Sequence, residues 1–515
     1  MGGLQDATDE AGPSRSSARP AKTSSSEGQN DQILSTEHED ISRAWDQQNL
    51  LSLDGGGIRG YWTLMLLQKL MEAIAEEETH ETNGSNSSFS PVEFPNDVAQ
   101  KPYKRGTSTG AYVILFVIYT LLTWNSLIAI MLGRFRMPVQ DCLDEYMQMG
   151  SRIFGRPRWI CQRNIGLGQR PKYSHKRMKE VFKDVTAKRC EATDSIKPVE
   201  FPSTPGVCKT FVTTQRREGA DGAKGSAIYP YLIRSYDNEK GEKHTVGRAA
   251  TGASYNDLTQ KKYGKADPFE IWEVARAATA APMYFKAIKF ENETRSGTTK
   301  TYFSDGGFSH TNNPAEEGVK EIELLHGATN IGIVVSMGTA RGPANSAGRG
   351  TISLFKTTVA DNTDPEKVHA RLYERFKDQE CYFRFNDLNG IDVELDEWRK
   401  NTLFTRKPGR KTLDKIESGF HKWYSNGRVA KDIDHCAQLL VAQRTMRMHD
   451  RSRWDLYATG TYFPCHIDGC TREVFYNKER FKQHLTADHD ISEREIERII
   501  HEQTRGFKYQ SRPTG

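Results

Sequence analysis

A short apolar run, Leu50–Leu53, meets a glycine-rich turn, and beyond it Leu67, Leu70, Met71 and Ile74 fall at i, i+3, i+4 and i+7. The first pattern is that of a buried strand and the second is the inner stripe of a helix. The turn therefore joins a strand to a helix. Residues 76–105 are polar and turn-rich and read as a surface loop. Val139–Met149 and Lys176–Lys188 read as helices, Thr210–Thr214 and Tyr231–Ser235 as strands. An alanine-rich helix, Phe269–Ala281, is stopped by Pro282. Strands follow at Phe285–Phe290 and Thr301–Phe303, then a helix from Pro314 and the apolar strand Ile331–Ser336. Strands alternating with helices predict an α/β fold with helices on both faces of a largely parallel sheet. No internal repeat is visible. Residues 340–430 are too polar to assign, and 455–505 read as a separate small module.

Composition adds little to this frame. The 515 residues carry 72 basic and 67 acidic side chains, a net charge of +5. That mild excess favours an anionic surface without naming a partner. Residues 1–40 have almost no apolar content and read as a disordered tail with no export signal. Eight scattered cysteines and that absence predict a reducing, cytoplasmic setting. One segment pulls the other way. Thr107–Gly133 is uncharged, and Ala111–Leu132 is long enough to span a bilayer, so a membrane-embedded chain is the alternative location.

Three motifs carry candidate chemistry. In DGGGIRG, Asp54–Gly60, consecutive glycines between strand and helix leave N–H groups free to face an anion. That anion is a nucleotide phosphate or the oxyanion of ester hydrolysis. A dinucleotide site needs an acidic residue about twenty positions on, and the acidic helix end Glu72–Glu78 leaves that test undecided. In GTSTG, Gly106–Gly110, the G-x-S-x-G pattern puts Ser108 on a sharp strand-to-helix turn between Gly106 and Gly110. In SDGGF, Ser304–Phe308, Asp305 with Gly306 and Gly307 closes a strand, as a plain turn or as a carboxylate held beside open space.

In this order, with WEVARAATAAP (Trp272–Pro282), LIAIMLGRFRM (Leu127–Met137), NNPAEEG and IGIVVSMGT (Ile331–Thr339), the motifs resemble the patatin-like phospholipase family over residues 45–340, its fungal members most of all. The resemblance implies a three-layer α/β/α sandwich with a mostly parallel central sheet. It implies a lipid acyl hydrolase of phospholipase A or lysophospholipase type, acting without a catalytic cofactor on phospholipid or lysophospholipid at a membrane surface, peripheral to it. Ser108 is then the nucleophile and Asp305 its base. Gly55, Gly56 and Gly57 hold the oxyanion, and Arg59 fixes their loop. A free aspartate has a pKa of about 4, so Asp305 is ionised at neutral pH and needs only to reach Oγ. His310, five residues on, has no role in such a dyad.

Residues 341–450 form a partly helical extension. The last module, 455–505, holds Cys465-x4-Cys470-x13-His484-x4-His489 with Phe475 and Phe481 between the pairs. Two thiolates and two imidazoles suit tetrahedral zinc, and the pattern resembles a Cys2His2 zinc finger. A single finger predicts a structural or protein-contact unit, with nucleic acid not expected.

Two departures surround the nucleophile. The strand before it should be apolar, yet Ala99–Arg105 reads AQKPYKR, with Pro102 and three charges. The family also runs from G-x-S-x-G through one more glycine into LIAIMLG. Here the sixteen residues Ala111–Ser126 intervene. They predict a segment foreign to the working domain, a translated intron in origin. A second functional reading follows, an inactive scaffold carrying the finger as an interaction module.

Overall fold

In this computed structural model the described residues are 40–81, 116–120, 125–135, 137–158, 171–189, 199–202, 208–218, 228–238, 263–282, 284–294, 297–306, 312–340, 364–399, 408–450, 453, 463–470, 474–475 and 478–503. The tail at 1–39, the GTSTG turn with Ser108, Gly307 and His310 lie outside them.

The apolar run forms β1 (Gln48–Leu53), buried throughout, and the turn leads into α1 (Gly60–Glu81). The sequence predicts that this helix gives way to loop at residue 76. It persists because Glu78 is buried against Arg444, a partner 366 residues away that no local pattern reveals. Next come β2 (Phe116–Thr120), α2 (Asn125–Ala129, continuing through a wider turn, Ile130–Arg134), α3 (Val139–Ile153) and α4 (His175–Arg189). Then follow β3 (Thr210–Glu218), β4 (Ile228–Arg234), α5 (Ile271–Ala278), β5 (Ile288–Thr294), β6 (Gly297–Asp305), α6 (Ala315–His326) and β7 (Ile331–Met337). The unassigned polar stretch supplies α7 (Pro365–Phe376), β8 (Tyr382–Phe385), α8 (Arg410–Tyr424) and the start of α9 (Gly427–Met448).

Eight of these strands form one sheet with the path β5-β6-β3-β2-β1-β7-β8, and β4 pairs β3. The pairs β2–β1, β1–β7, β2–β3 and β7–β8 are parallel; those of β4, β5 and β6 are antiparallel. Helices pack on both faces. Leu51 and Leu53 face a core built with Trp62, Leu66, Ile128, Met178, Val274 and Ile416, while Leu50 faces the other, with Val319, Ile322 and Leu372. This is the three-layer sandwich the sequence predicts. The extension shares that core: Phe420 of α8 packs edge-on against Trp62 at 5.1 Å, and α9 lies along α1. Truncating Trp62, fully buried, is expected to cost about 3–5 kcal/mol.

The centre of the sheet departs from expectation. Its strand between β1 and β3 is Phe116–Thr120, from inside the intervening segment, with Leu51 opposite Ile118 and Ile118 opposite Thr210. Ala99–Arg105, the predicted occupant, lies outside the described residues. The reason is chemical. FVIYT is β-branched and aromatic and suits a strand flanked on both sides, whereas AQKPYKR would leave a ladder donor missing and charges unpaired. The segment Ala111–Ser126 is thus in part integral to the fold rather than foreign to it. Nor is Ala111–Leu132 a membrane span, being divided between β2 and α2. Leu127–Leu132 are 0–3% exposed, packed in the domain core. Among the described residues no helix is long and apolar enough to cross a membrane.

The last module is a short hairpin, β9 (Phe463–Pro464) with β10 (Val474–Phe475), then α10 (Lys478–His489) and α11 (Glu493–Gln503). Phe463, Phe481, Leu485, Ile496, Ile499 and Ile500 form its own small core.

Candidate functional site

Three chain segments meet at the carboxyl end of the central strands. β1 delivers the loop Asp54–Arg59. β2 ends at Thr120, opposite Leu53 on one side and Val212 on the other. β4 occupies one edge of β3 from Phe211 to Arg217, so β2 and β6 share the opposite edge in succession. β6 runs the other way and ends with Asp305 opposite Thr214, two residues beyond Val212. At about 3.3 Å per residue, the end of β2 lies about 7 Å from Asp305. Asp305 is fully buried, and its N–H donates to Ala280 O at 3.1 Å, which ties it to the end of α5.

The glycine loop is held on every side. The N–H of Gly55 donates to Asn312 O at 3.2 Å and that of Ile58 to Leu395 O at 2.8 Å. Between them the N–H groups of Gly56 and Gly57 have no loop acceptor among the described residues. Of the three glycines named from the sequence, two thus keep a donor available and Gly55 does not. Gly57 has φ +59°, and a Cβ there would sit 2.1 Å from Leu395 O, so only glycine fits. Tyr146 Oη donates to Gly57 O at 2.7 Å and Thr339 Oγ1 to Gly55 O at 3.1 Å. Arg59 Nε donates to Gly56 O and Nη1 to Ala340 O.

Asp54 does not face the site. It is buried and clasped by Arg384 of β8, Nη1 to Oδ1 at 2.9 Å and Nη2 to Oδ2 at 2.5 Å. The same guanidinium holds Glu366 at 2.5 Å and Ser336 at 2.9 Å, and Asn386 completes the bridge to Glu366 at 2.8 Å. Burial pushes the Asp54 carboxyl up to about 6 against the pull of Arg384. Burial also acts on Glu366, but there Arg384 prevails and the carboxyl stays below its ordinary value. Leu395 belongs to a strap anchored by Asp396, which accepts from Tyr173 at 2.8 Å and is ion-paired to Lys172. Sequence reasoning missed Arg384, Glu366 and Leu395, which come from the polar stretch. An arginine inside the strand pattern YFRF was the one available signal.

At the start of α2, Asn125 donates to Asp54 O and lies against Gly60, while its Oδ1 is buried with no hydrogen-bond partner among the described residues. Residues 121–124, LLTW in sequence, stand between β2 and α2 in the chain and lie outside the described residues. GTSTG precedes β2 in the chain instead of following it.

The second candidate site is the Cys/His cluster. The donor atoms of Cys465, Cys470, His484 and His489 all lie within 4.8 Å of one another. Cys465 Sγ is 3.5 Å from His489 Nε2, Cys470 Sγ is 3.4 Å from His484 Nε2, and the two Nε2 atoms are 3.1 Å apart. A tetrahedral ion with Zn–S near 2.3 Å and Zn–N near 2.0 Å sets donors about 3.3–3.8 Å apart, close to these three separations, so the donor set could hold zinc. Asp488 holds His484 Nδ1 at 2.6 Å, which leaves Nε2 facing the centre. Lys478 and Lys482 of α10 pair with Glu497 of α11.

Comparison with known proteins supplies the context. A model of the patatin-like phospholipases matches residues 51–319, just over half of the chain. Calcium-independent phospholipase A2-gamma of Oryctolagus cuniculus and that of Homo sapiens are each 25% identical over 361 residues, 69% of this chain and 36% of theirs. Phospholipase A I of Arabidopsis thaliana is 22% identical over 383 residues, 68% of this chain and 25% of its own. The matched stretch thus spans about a third of the mammalian relatives and a quarter of the plant one.

Proposed function

The chain belongs to the patatin-like phospholipase family, and from that premise we propose that it cleaves carboxylic esters of phospholipid or lysophospholipid at a membrane surface. Asp305 takes the proton of the Ser108 hydroxyl as Oγ attacks the ester carbonyl. The oxyanion that forms is held by the N–H groups of Gly56 and Gly57, each such donor worth roughly 3–4 kcal/mol of barrier. The C–O bond to the lipid alcohol then breaks, and the alcohol leaves with the proton from Asp305. Water, deprotonated by the same carboxylate, frees the fatty acid from the acyl-serine. The observation that carries this reading is the meeting of a donor-bearing glycine loop and a buried aspartate at the end of β2.

Ser108 precedes Phe116 by eight residues, which reach at most about 29 Å when extended. β2 is about 17 Å long. The serine therefore meets Asp305 only if residues 109–115 run back along the strand. Ser108→Ala and Asp305→Asn should each abolish hydrolysis of a chromogenic short-chain ester and of lysophosphatidylcholine, with the circular dichroism spectrum unchanged. An enzyme that survives either substitution does not use the dyad. One observation favours a second reading, a non-catalytic scaffold: no serine stands at 121–124, directly after β2. Folded wild-type chain without esterase activity would establish it.

The finer reading of the C-terminal module is a structural zinc ion on Cys465, Cys470, His484 and His489. Zinc would supply folding energy there and no catalysis. Glu497 and Glu479 together pair with Lys478 and Lys482 on α10, which supports a protein-contact or structural part for the module over nucleic-acid binding.

A further inference from the structure

The first turn of α4 is His175, Lys176 and Arg177, with no acidic residue in it. A helix N-terminus carries about half a unit of positive charge and unpaired N–H groups, so this sequence sets like charge upon like. Arg276 of α5 adds to the excess. It is 4% exposed; Nη2 donates to Lys286 O at 2.8 Å, while Nη1 is buried with no partner among the described residues. Burial without a counter-charge draws this guanidinium down to about 10. A backbone bond, Tyr173 N to Tyr284 O at 3.0 Å, joins the two regions, and Arg158 N donates to Lys172 O at 2.9 Å just before α4. The His175 ring lies in the field of Arg276, Arg158, Lys286 and Lys176, and burial together with these cations holds it below its ordinary value. The acid anchored beside them, Asp396, is already taken by Lys172 and Tyr173.

Arg276 stands in the last turn of α5, and near the first turn of α4 its buried guanidinium keeps a donor with no acceptor and no paired carboxylate among the described residues. Uncompensated buried charge is costly, and an oxyanion supplies the missing acceptor and balances the helix end at once. We propose that Arg276, Lys286 and the His175–Lys176 turn form a binding site for a phosphate group. Arg276 stands four residues before Ala280, at most about 14 Å along the chain, and the Ala280 carbonyl holds the backbone of Asp305. A phosphate here lies close to the proposed base, as the head group of a bound phospholipid does in an ester hydrolase. That lipid source rests on the hydrolase reading; the phosphate site itself does not.

The test uses the full chain, Arg276→Gln and the double variant Lys176→Gln/Lys286→Gln, whose side chains are exposed and tolerate exchange. Thermal unfolding is followed with inorganic phosphate against chloride at matched ionic strength. Hydrolysis of lysophosphatidylcholine is compared with that of a monoacylglycerol carrying the same acyl chain. Phosphate should raise the melting temperature of wild type and not of the double variant. The ratio of kcat/KM, phospholipid over monoacylglycerol, should fall at least about tenfold in the variants, the loss of one charge-assisted hydrogen bond. A selective phosphate effect with an unmoved ratio assigns the site to free phosphate and overturns the head-group source. No stabilisation of wild type, or equal stabilisation of wild type and double variant, overturns the site. If wild type cleaves neither ester, the hydrolase reading fails while the phosphate arm still decides the site.

Discussion

Arg384→Gln tests whether the glycine loop is positioned from outside the stretch that the family model matches. The guanidinium stands between Asp54 and Glu366, itself buried, with three contacts of 2.5–2.9 Å to the two carboxylates. Breaking a buried pair by removing one partner costs about 3–5 kcal/mol, because uncompensated charge stays behind. The pH dependence follows from the two carboxyls. Asp54 titrates at about 6 when folded, above its ordinary 3.8. Between those values the folded chain keeps a proton that the unfolded chain has lost, so the Asp54 contribution declines as pH rises from 4 to 6. Glu366 lies below its ordinary value and contributes above it, losing that contribution as pH falls through its folded pKa. Without Arg384 both carboxyls rise. The destabilisation of Arg384→Gln, read from urea midpoints, should therefore be largest near pH 8 and shrink toward pH 5. Adding Asp54→Asn removes one stranded charge and should recover about 1–2 kcal/mol. Turnover should fall about a hundredfold with little change in KM, since a displacement near 1 Å of the loop suffices. Equal destabilisation at pH 5 and pH 8, or no recovery in the double variant, would refute the reasoning.

Gly57→Ala puts a Cβ 2.1 Å from Leu395 O at φ +59°; we expect a stability loss of about 1–3 kcal/mol and at least a hundredfold fall in kcat, measured side by side. Elemental analysis should find one zinc per chain, absent in Cys470→Ser. Asp488→Asn should weaken zinc affinity about 10–100-fold in a competition titration, with ester hydrolysis unaffected in both variants. A fully retained zinc content in Cys470→Ser would remove the metal assignment.

Much of the sheet was legible because its strands carry local signals: the apolar runs of β1 and β7, and the turn glycines after β1 and β6. What escaped was set by distant partners. Glu78 reads as a solvated helix end until Arg444 is placed beside it, and Arg384 reads as surface until Asp54 and Glu366 surround it. A buried charge has the same letters as an exposed one, and only the third dimension supplies its counter-ion. The long uncharged run failed as a membrane signal for a related reason. A central strand and the helix after it are apolar on all sides, so their concatenation mimics a span in length and hydropathy.

The same run decides how the catalytic end could be completed. Deleting Ala111–Ser126 removes β2 whole and leaves β1 and β3 unbridged, with only AQKPYKR to replace it, so the deleted chain should fail to fold. Substitution within the segment keeps the strand. The family's spacing runs from G-x-S-x-G through one more glycine into the LIAIMLG run, which begins here at Leu127, and this puts the nucleophile at position 123, held by threonine. Asn125 stands where that spacing has glycine, and there its Oδ1 is buried with no partner among the described residues, lying against Gly60. The local misfit and the sequence mismatch thus coincide. The set Leu121→Gly, Leu122→Thr, Thr123→Ser, Trp124→Thr, Asn125→Gly and Ser126→Gly places a serine three residues past the end of β2 in the chain. We expect ester hydrolysis that survives Ser108→Ala, is lost with Asp305→Asn, and exceeds that of the parent chain. A folded sextuple variant, its spectrum and melting curve matching the parent, that cleaves ester no faster would mean that Asp305 and the glycine loop are not poised for a nucleophile at the end of β2.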